Sequence, residues 1–404
     1  MKRRIKIGFI TLFYPPIGGG GEIYLKRMIE ALDQFDLSLW TLSPGSETFS
    51  QPKDDHYDIE YYGDSPHIDY TTLGHWFEEH YQDIFATILS WVNRSNCDLL
   101  ILNSPITYFD ETRELVDKLR EKCPVGSILH DVPGESFSKL MESYDKCEDW
   151  EQSLADTHHE RIHISKAREF GVFASPFQIG TDFTIYNSAW AREFYDPEGE
   201  MKNIIFHPLV KQTDEEPELD LNPVDFTIVN PLPMKGGALF LALANFHFRN
   251  DKIRILGGGY NSAMLQLEPY LRPVSSGFYH GKMNGNIEVL DYVSNMSEIY
   301  RNTRVLLHPT RIEGYGMTAA EALLENCLVV TTDIPGVIEG VGNAALQMPY
   351  FATPQEWADA ISDMIKNREE WKTRIAERVR LLKDRQAREV VELERFLAHI
   401  VQDS

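Results

Sequence analysis

Residues 5–32 read IKIGFITLFYPPIGGGGEIYLKRMIEAL: an apolar run, two prolines, four glycines, then a segment with Tyr24, Leu25, Met28, Ile29 and Leu32 at helical spacing. The run has strand length and the spacing leaves one apolar face, so the stretch predicts a strand, a glycine turn and a helix. Residues 226–248, FTIVNPLPMKGGALFLALANFHF, repeat that plan, with the turn at Gly236 and Gly237 and a helix apolar nearly all round. Openings of this kind mark the first unit of a doubly wound α/β domain. Two openings in one chain predict two such domains.

Further apolar runs support this reading. Leu99–Leu102, Val125–Leu129 and Phe183–Tyr186 follow in the first half, and Ile253–Leu256, Val305–Leu307 and Leu328–Thr331 in the second, alternating with helical patterns. Between the halves KQTDEEPELDLNP, Lys211–Pro223, is acidic and proline-bearing and reads as a solvated linker. The expected layout is an N-terminal Rossmann-like domain over 1–210, the linker 211–223, a C-terminal Rossmann-like domain over 224–385 and a terminal helix over 386–404. A chain of 404 residues holds two domains of the usual size, about 100–200 residues each. The helical pattern begins at Asn367, running through Trp371, Ile375, Val379 and Leu382 and then Val390, Leu393 and Leu397. Residues 367–388 carry eight Lys or Arg against four acids, so a helix on a membrane surface and a helix packed on the protein are both open.

Composition narrows the function. The chain is 43% hydrophobic and 25% charged, as ordinary globular proteins are. Its 39 basic residues stand against 62 acidic ones, a formal charge of −23, which opposes general attraction to nucleic acid or anionic lipid. An anionic ligand must then be held by a local device. Cys97, Cys123, Cys147 and Cys327 are scattered without a C-x-x-C pair, which suits reduced thiols in a cytoplasm and suggests no metal knuckle. The start MKRRIKIGFITLFYPP resembles a leader only until its prolines and reads as a strand. No apolar stretch approaches the roughly 20 residues of a membrane span.

The densest chemistry lies in RIEGYGMTAAEALLENCLVVTTD, Arg311–Asp333, where Glu313 and Glu321 flank a Gly-Tyr-Gly turn. Thr318 and Glu321 have the spacing of a capping box, so a helix is expected to begin at Thr318. Gly314, Tyr315 and Gly316 would lead into it, with backbone N–H groups turned to one spot beside the positive helix end, a seat for phosphate made without cations. A Glu321 that only caps its helix is the equal alternative, and the segment alone leaves both readings open. Lys235, just ahead of a Gly-Gly helix start, is a second device for an anion or else a solvated surface charge.

The pattern Glu313-Gly-Tyr-Gly-Met-Thr-Ala-Ala-Glu321 resembles the signature of the retaining glycosyltransferase family 4, of GT-B fold. Other stretches agree in order: PPIGGGGE, LHD at Leu129–Asp131, YNS ending at Ser188, MKGG with Lys235, ILGGG at Ile255–Gly259, LHPT at Leu307–Thr310, and DIPGVIEG with Gly336 and Glu339. The resemblance implies two Rossmann-like domains facing a cleft, with the C-terminal helix crossing back to the first. It implies transfer of a sugar, with retention, from a nucleoside diphosphate sugar, UDP- or GDP-linked, to a hydroxyl acceptor. Glu313 would meet donor-sugar hydroxyls and Glu321 the ribose. Lys235, Gly19, Gly20, Gly21 and the stretch Gly314, Tyr315, Gly316, Met317 and Thr318 would hold the diphosphate, and His130 would face the donor sugar. Neither a resident cofactor nor a metal is implied. The family usually has an arginine five residues before the lysine; Asn230 stands there, placing more charge neutralisation on Lys235, the helix end, or a substitute such as Arg311 or Lys282.

Two alternatives compete. A chain that binds a sugar nucleotide but turns it over weakly would fit Asn230. His159-Glu160-Arg161-Ile162-His163 matches H-E-x-x-H, the zinc-peptidase arrangement, although no third ligand follows at a usual spacing and the segment reads equally as a strand. The acceptor would be read by the first half, through loops at Asp64–His80 and Glu142–Glu160.

Overall fold

The computed structural model describes residues 3–15, 19–43, 57–64, 73–130, 179–212, 221–231, 235–257, 287–290, 293, 295–311, 313–349 and 352–403. Among these, one compact unit takes residues up to 130, 179–209 and 385–403, and a second takes 210–384 apart from the gaps.

The first unit is built on seven parallel strands: β1 Lys6–Ile10, β2 Asp36–Ser43, β3 Asp58–Asp64, β4 Leu99–Asn103, β5 Val125–Leu129, β6 Phe183–Tyr186 and β7 Lys202–Ile205. Their order is β3-β2-β1-β4-β5-β6-β7. Its helices include α1 Gly20–Ala31, α2 Leu73–Ser95, α3 Thr112–Arg120 and α4 Ala189–Tyr195. The expected apolar face of α1 is the buried one: Tyr24, Leu25, Met28, Ile29 and Leu32 are all at most 1% exposed. Every residue of β4, β5 and β6 is buried, as parallel strands covered on both faces are. Residues 73–80, expected in an acceptor-reading loop, are instead the start of α2. Phe77, Phe85 and Trp91 on that helix bury against the sheet, and this packing decides its conformation. The other expected reader, Glu142–Glu160, lies outside the described residues, as does the H-E-x-x-H stretch.

The second unit has six parallel strands: β8 Val224–Val229, β9 Ile253–Leu256, β10 Ile287–Leu290, β11 Thr303–His308, β12 Leu328–Thr332 and β13 Leu346–Met348. They run in the order β10-β9-β8-β11-β12-β13. Its helices are α5 Gly237–Ala242, continued by a π turn over Leu243–His247, then α6 Met296–Arg301, α7 Met317–Leu324, α8 Pro335–Val341 and α9 Pro354–Lys366. The core joins both sheet faces, with Phe226, Leu243, Val305, Leu323, Val330 and Trp357 among its members. All eight strands anticipated from apolar runs are present, and the chain is α/β with two doubly wound sheets.

The last helix, α10 Arg368–Gln402, serves both units. Ile375 and Leu382 bury in the cores of the second. From Arg385 onward the helix groups with the first. There Glu389 accepts from the His207 backbone N–H (3.0 Å) and contacts His207 Nδ1 at 2.7 Å, and Phe396 lies edge-on to Phe183. The basic stretch has its apolar stripe inside the protein. Its charges pair along the helix, Lys372 with Glu369 at 3.0 Å and Arg380 with Asp384 at 3.1 Å, as a solvated face does.

Candidate functional site

In a doubly wound sheet, ligands sit beyond the carboxyl ends of the strands where the order reverses. In the second unit that point lies between β8 and β11. Lys235 follows β8, and His308 ends β11 with Glu313 five residues beyond. Three features draw these side chains together. Gly236 adopts φ 78°, left-handed backbone natural to glycine, and a Cβ there would stand 2.2 Å from the Pro309 carbonyl oxygen, so the turn lies directly against the end of β11. The His308 carbonyl accepts from Thr331 Oγ1 at 3.0 Å and the Thr310 carbonyl from Thr332 Oγ1, which fix that strand end to β12. Gly336, on α8, approaches the carbonyls of Glu313 and Gly314 so closely that a Cβ would come within 2.5 Å of both.

Lys235 Nζ meets Glu313 Oε2 at 2.5 Å, with both side chains about one-fifth to one-quarter exposed. Burial raises the Glu313 pKa, but the charges of Lys235 and His308 and hydrogen bonds from Lys235 and the Gly316 N–H outweigh it, leaving the group below its usual range. His308 is 7% exposed, and its Nε2 lies 3.9 Å from Glu313 Oε2 without a hydrogen-bond partner. Burial pulls its pKa down to about 4, with Glu313 favouring the charged form and Lys235 opposing it.

The turn differs from its expected form in one respect. The helix begins at Met317, not Thr318, and the N-cap is Gly316 at φ 76°, ψ 52°. Thr318 is therefore the second helical residue, and Glu321 is too far along to close a capping box. A β-branched residue is strained in left-handed backbone, so the glycine takes the cap. Tyr315 is 1% exposed and packs with Val210, Ala320, Leu324 and Leu382, with Met317 at the margin. Tyr315 thus anchors the turn by its ring. Thr318 and Glu321 stay partly exposed on α7.

Asn230 stands at φ 50° directly after β8, and its N–H donates to the Leu256 carbonyl at 2.9 Å. Asparagine tolerates left-handed backbone better than arginine, so this position is shaped by the turn itself. Arg311 is half-buried beyond β11, and Lys282 lies outside the described residues.

The first unit reverses its order between β1 and β4. Gly19 precedes α1, its N–H donating to Glu22 at 2.5 Å, while Gly20 and Gly21 form the first turn. His130 follows β5. Its Nε2 is 2.7 Å from Ser104 Oγ, its ring meets that of Tyr24 edge-on, and its carbonyl accepts from Asn187 Nδ2 at 2.9 Å. A Cβ on Gly21 would stand 2.1 Å from His130 Cε1, so the glycine makes room for the imidazole. Burial lowers the His130 pKa to about 4, which keeps it neutral. Ser188 caps α4 by accepting from the Ala191 N–H at 3.1 Å. The sequence did not single out Ser104, His308 as a separate group, or Gly336 as the seat of the turn; only the last two lay within stretches already quoted.

Two Rossmann-like parallel sheets in one chain are the plan of the GT-B fold. Solved structures share it over nearly full length. A sucrose-phosphate synthase from Thermosynechococcus elongatus is 14% identical with TM-score 0.68, covering 99% of this chain and 100% of that one. An E. coli trehalose-6-phosphate structure bound with UDP-2-fluoro glucose is 12% identical with TM-score 0.64, covering 98% and 99%. Anabaena HepE in complex with UDP and glucose is 14% identical with TM-score 0.60, covering 99% and 100%. The model of the family Glycosyl transferases group 1 matches residues 234–367, the segment holding Lys235, His308, Glu313 and Glu321. The capsular polysaccharide biosynthesis glycosyltransferase CapM of Staphylococcus aureus is 32% identical over 92 residues, which take in 22% of this chain and 24% of CapM.

Proposed function

We propose that this chain is a retaining glycosyltransferase that moves a sugar from a nucleoside diphosphate sugar, UDP-linked in the first instance, to a hydroxyl acceptor. The observation that carries the reading is the Lys235–Glu313 pair at 2.5 Å, set at the strand reversal beside the start of α7 and inside the matched segment. A cation beside a carboxylate at a helix start meets two needs of a sugar diphosphate: charge neutralisation for the phosphates and a strong acceptor for hydroxyls. Support for the uridine nucleotide comes from the UDP complexes of the E. coli and Anabaena structures.

In this reading Lys235 and the backbone ahead of α7 stabilise charge as the bond from the anomeric carbon to the diphosphate breaks. Glu313 holds donor-sugar hydroxyls and Glu321 the ribose. The acceptor oxygen attacks on the face the leaving group vacates, and its proton passes to the departing phosphate. Lys235 and the helix end supply the charge that a divalent ion supplies elsewhere, so activity is expected to survive EDTA undiminished; loss restored by added Mg2+ would overturn the metal-independent form.

A thermal-shift panel of UDP, GDP, ADP and dTDP tests the binding reading. A nucleotide at 100 times its Kd stabilises by about 2.7 kcal/mol. One of the four is expected to raise Tm, with Lys235→Ala losing at least about tenfold in affinity, the worth of one charge-assisted contact. Silence across the panel, or an unaffected Lys235→Ala chain, would sink it. Hydrolysis or transfer of the matching sugar nucleotide then separates an enzyme from a binding protein of little turnover.

A further inference from the structure

In the second unit the groups suited to hold an anion are engaged by a carboxylate of the chain itself. Glu313 accepts from Lys235 Nζ and from the Gly316 N–H, the cation and the helix-start amide that a phosphate would require. Glu313 must therefore exchange Lys235 for another partner when a phosphate arrives. Among the described residues, Lys235 before α5 and Glu313 after β11 are the ones that act on His308. His308 is buried, fixed by its own strand end, and its Nε2 is 3.9 Å from the Glu313 carboxylate with no hydrogen-bond partner. A buried polar nitrogen left without a partner is costly and calls for a ligand or a second state.

We propose that His308 is a positioning residue that takes over Glu313: when a phosphate draws Lys235 away, the carboxylate turns to the His308 imidazole, which then holds it toward the sugar hydroxyls. This rests on the donor-binding reading above. The movement is small, since closing 3.9 Å to a hydrogen bond of about 2.8 Å needs only a turn of the carboxylate. It also explains why an acid may border a phosphate seat without repelling the ligand. Glu313 pairs with Lys235 or, once a phosphate engages that lysine, retains a buried donor in His308.

Two measurements test the exchange. The first needs no nucleotide: in Lys235→Met the cation is gone, as it is in effect when a phosphate engages it. The His308 Cε1–H signal, assigned from its absence in His308→Gln, should then titrate higher than in the unaltered chain by about one to two pH units. A titration unchanged from the unaltered chain overturns the proposal. The second compares UDP with UDP-glucose. In His308→Leu the preference for UDP-glucose over UDP should fall about tenfold, because the sugar contact loses its oriented carboxylate while the phosphate contact does not. In His308→Gln, whose amide N–H reaches a similar place, it should stay within about threefold. Equal losses for both ligands, or none, in a folded His308→Leu chain overturn the proposal. If neither nucleotide binds the unaltered chain, the uridine reading fails and the Lys235→Met titration still decides the role of His308.

Discussion

Gly236 does two things that no other residue can do at once. Its φ of 78° starts α5, and its missing side chain lets the Pro309 carbonyl approach to within 2.2 Å of where a Cβ would lie. Gly236→Ala is expected to cost about 2–3 kcal/mol, from left-handed strain and from displaced backbone together. Because the turn carries Lys235, nucleotide affinity should fall with it; a urea midpoint equal to that of the parent would show that the contact is not rigid. Asn230 is the companion case. The sequence shows an amide where the resembling family has an arginine, which invites a reading about lost charge. The structure adds a backbone reason, since an asparagine ends β8 at φ 50° with less strain than an arginine.

At the scale of elements, the turn before α7 is held from behind. Gly336 and Gly340, one helical turn apart on α8, let its backbone settle on the carbonyls of residues 313, 314 and 315. The open end of α8 is in turn closed by Arg378 of α10, whose guanidinium donates to the Gly340 carbonyl at 3.0 and 3.1 Å and also to that of Glu339. A cation satisfying the last carbonyls of a helix contributes about 1 kcal/mol. Arg378→Ala should lower stability by about that much in a urea titration, and Arg378→Lys should recover part of it. No change in either would make the contact incidental. The same element decides between the two readings composition left open: residues 367–388 are basic, and their apolar stripe covers the protein while their charges pair along the surface.

Across the whole molecule, two histidines remain neutral by burial, His130 in one unit and His308 in the other, each with its pKa lowered to about 4. The unfolded chain binds their protons near pH 6.5 and the folded chain does not, so more protons are bound on unfolding and stability rises with pH between those limits. Their full contribution is present above about pH 6.5 and is lost as pH falls toward about 4, up to roughly 3 kcal/mol for each. Glu313, lowered instead, adds a loss that begins only below its ordinary range near 4.5. Urea midpoints should therefore drop steadily from about pH 7 to about pH 4.5, and His308→Gln should flatten that slope; a flat profile in the parent would contradict both burials.

The sequence alone determined the repeated strand, glycine turn and helix, and with it two parallel sheets, because covered parallel strands are apolar throughout and leave a plain run in the chain. The inner strand β2 and the edge strands β3, β7, β10 and β13 were not legible: β7, β10 and β13 are four residues or fewer, and β2 and β3 interleave polar with apolar residues instead of leaving a plain apolar run. Lys235, Glu313 and His130 stood out in the sequence as candidates by residue type and setting. Their partners did not: Lys235 and Glu313 are 78 residues apart, and Ser104 and His130 are 26 apart. Local pattern also started α7 one residue late, since a capping box is a preference of isolated segments while the left-handed turn at Gly316 is imposed by the contact of α8 with the preceding backbone. Which groups meet, Lys235 with Glu313 above all, followed only from the end of β11 being brought against the Gly236 turn. Spacing along the chain carries no information about such an encounter.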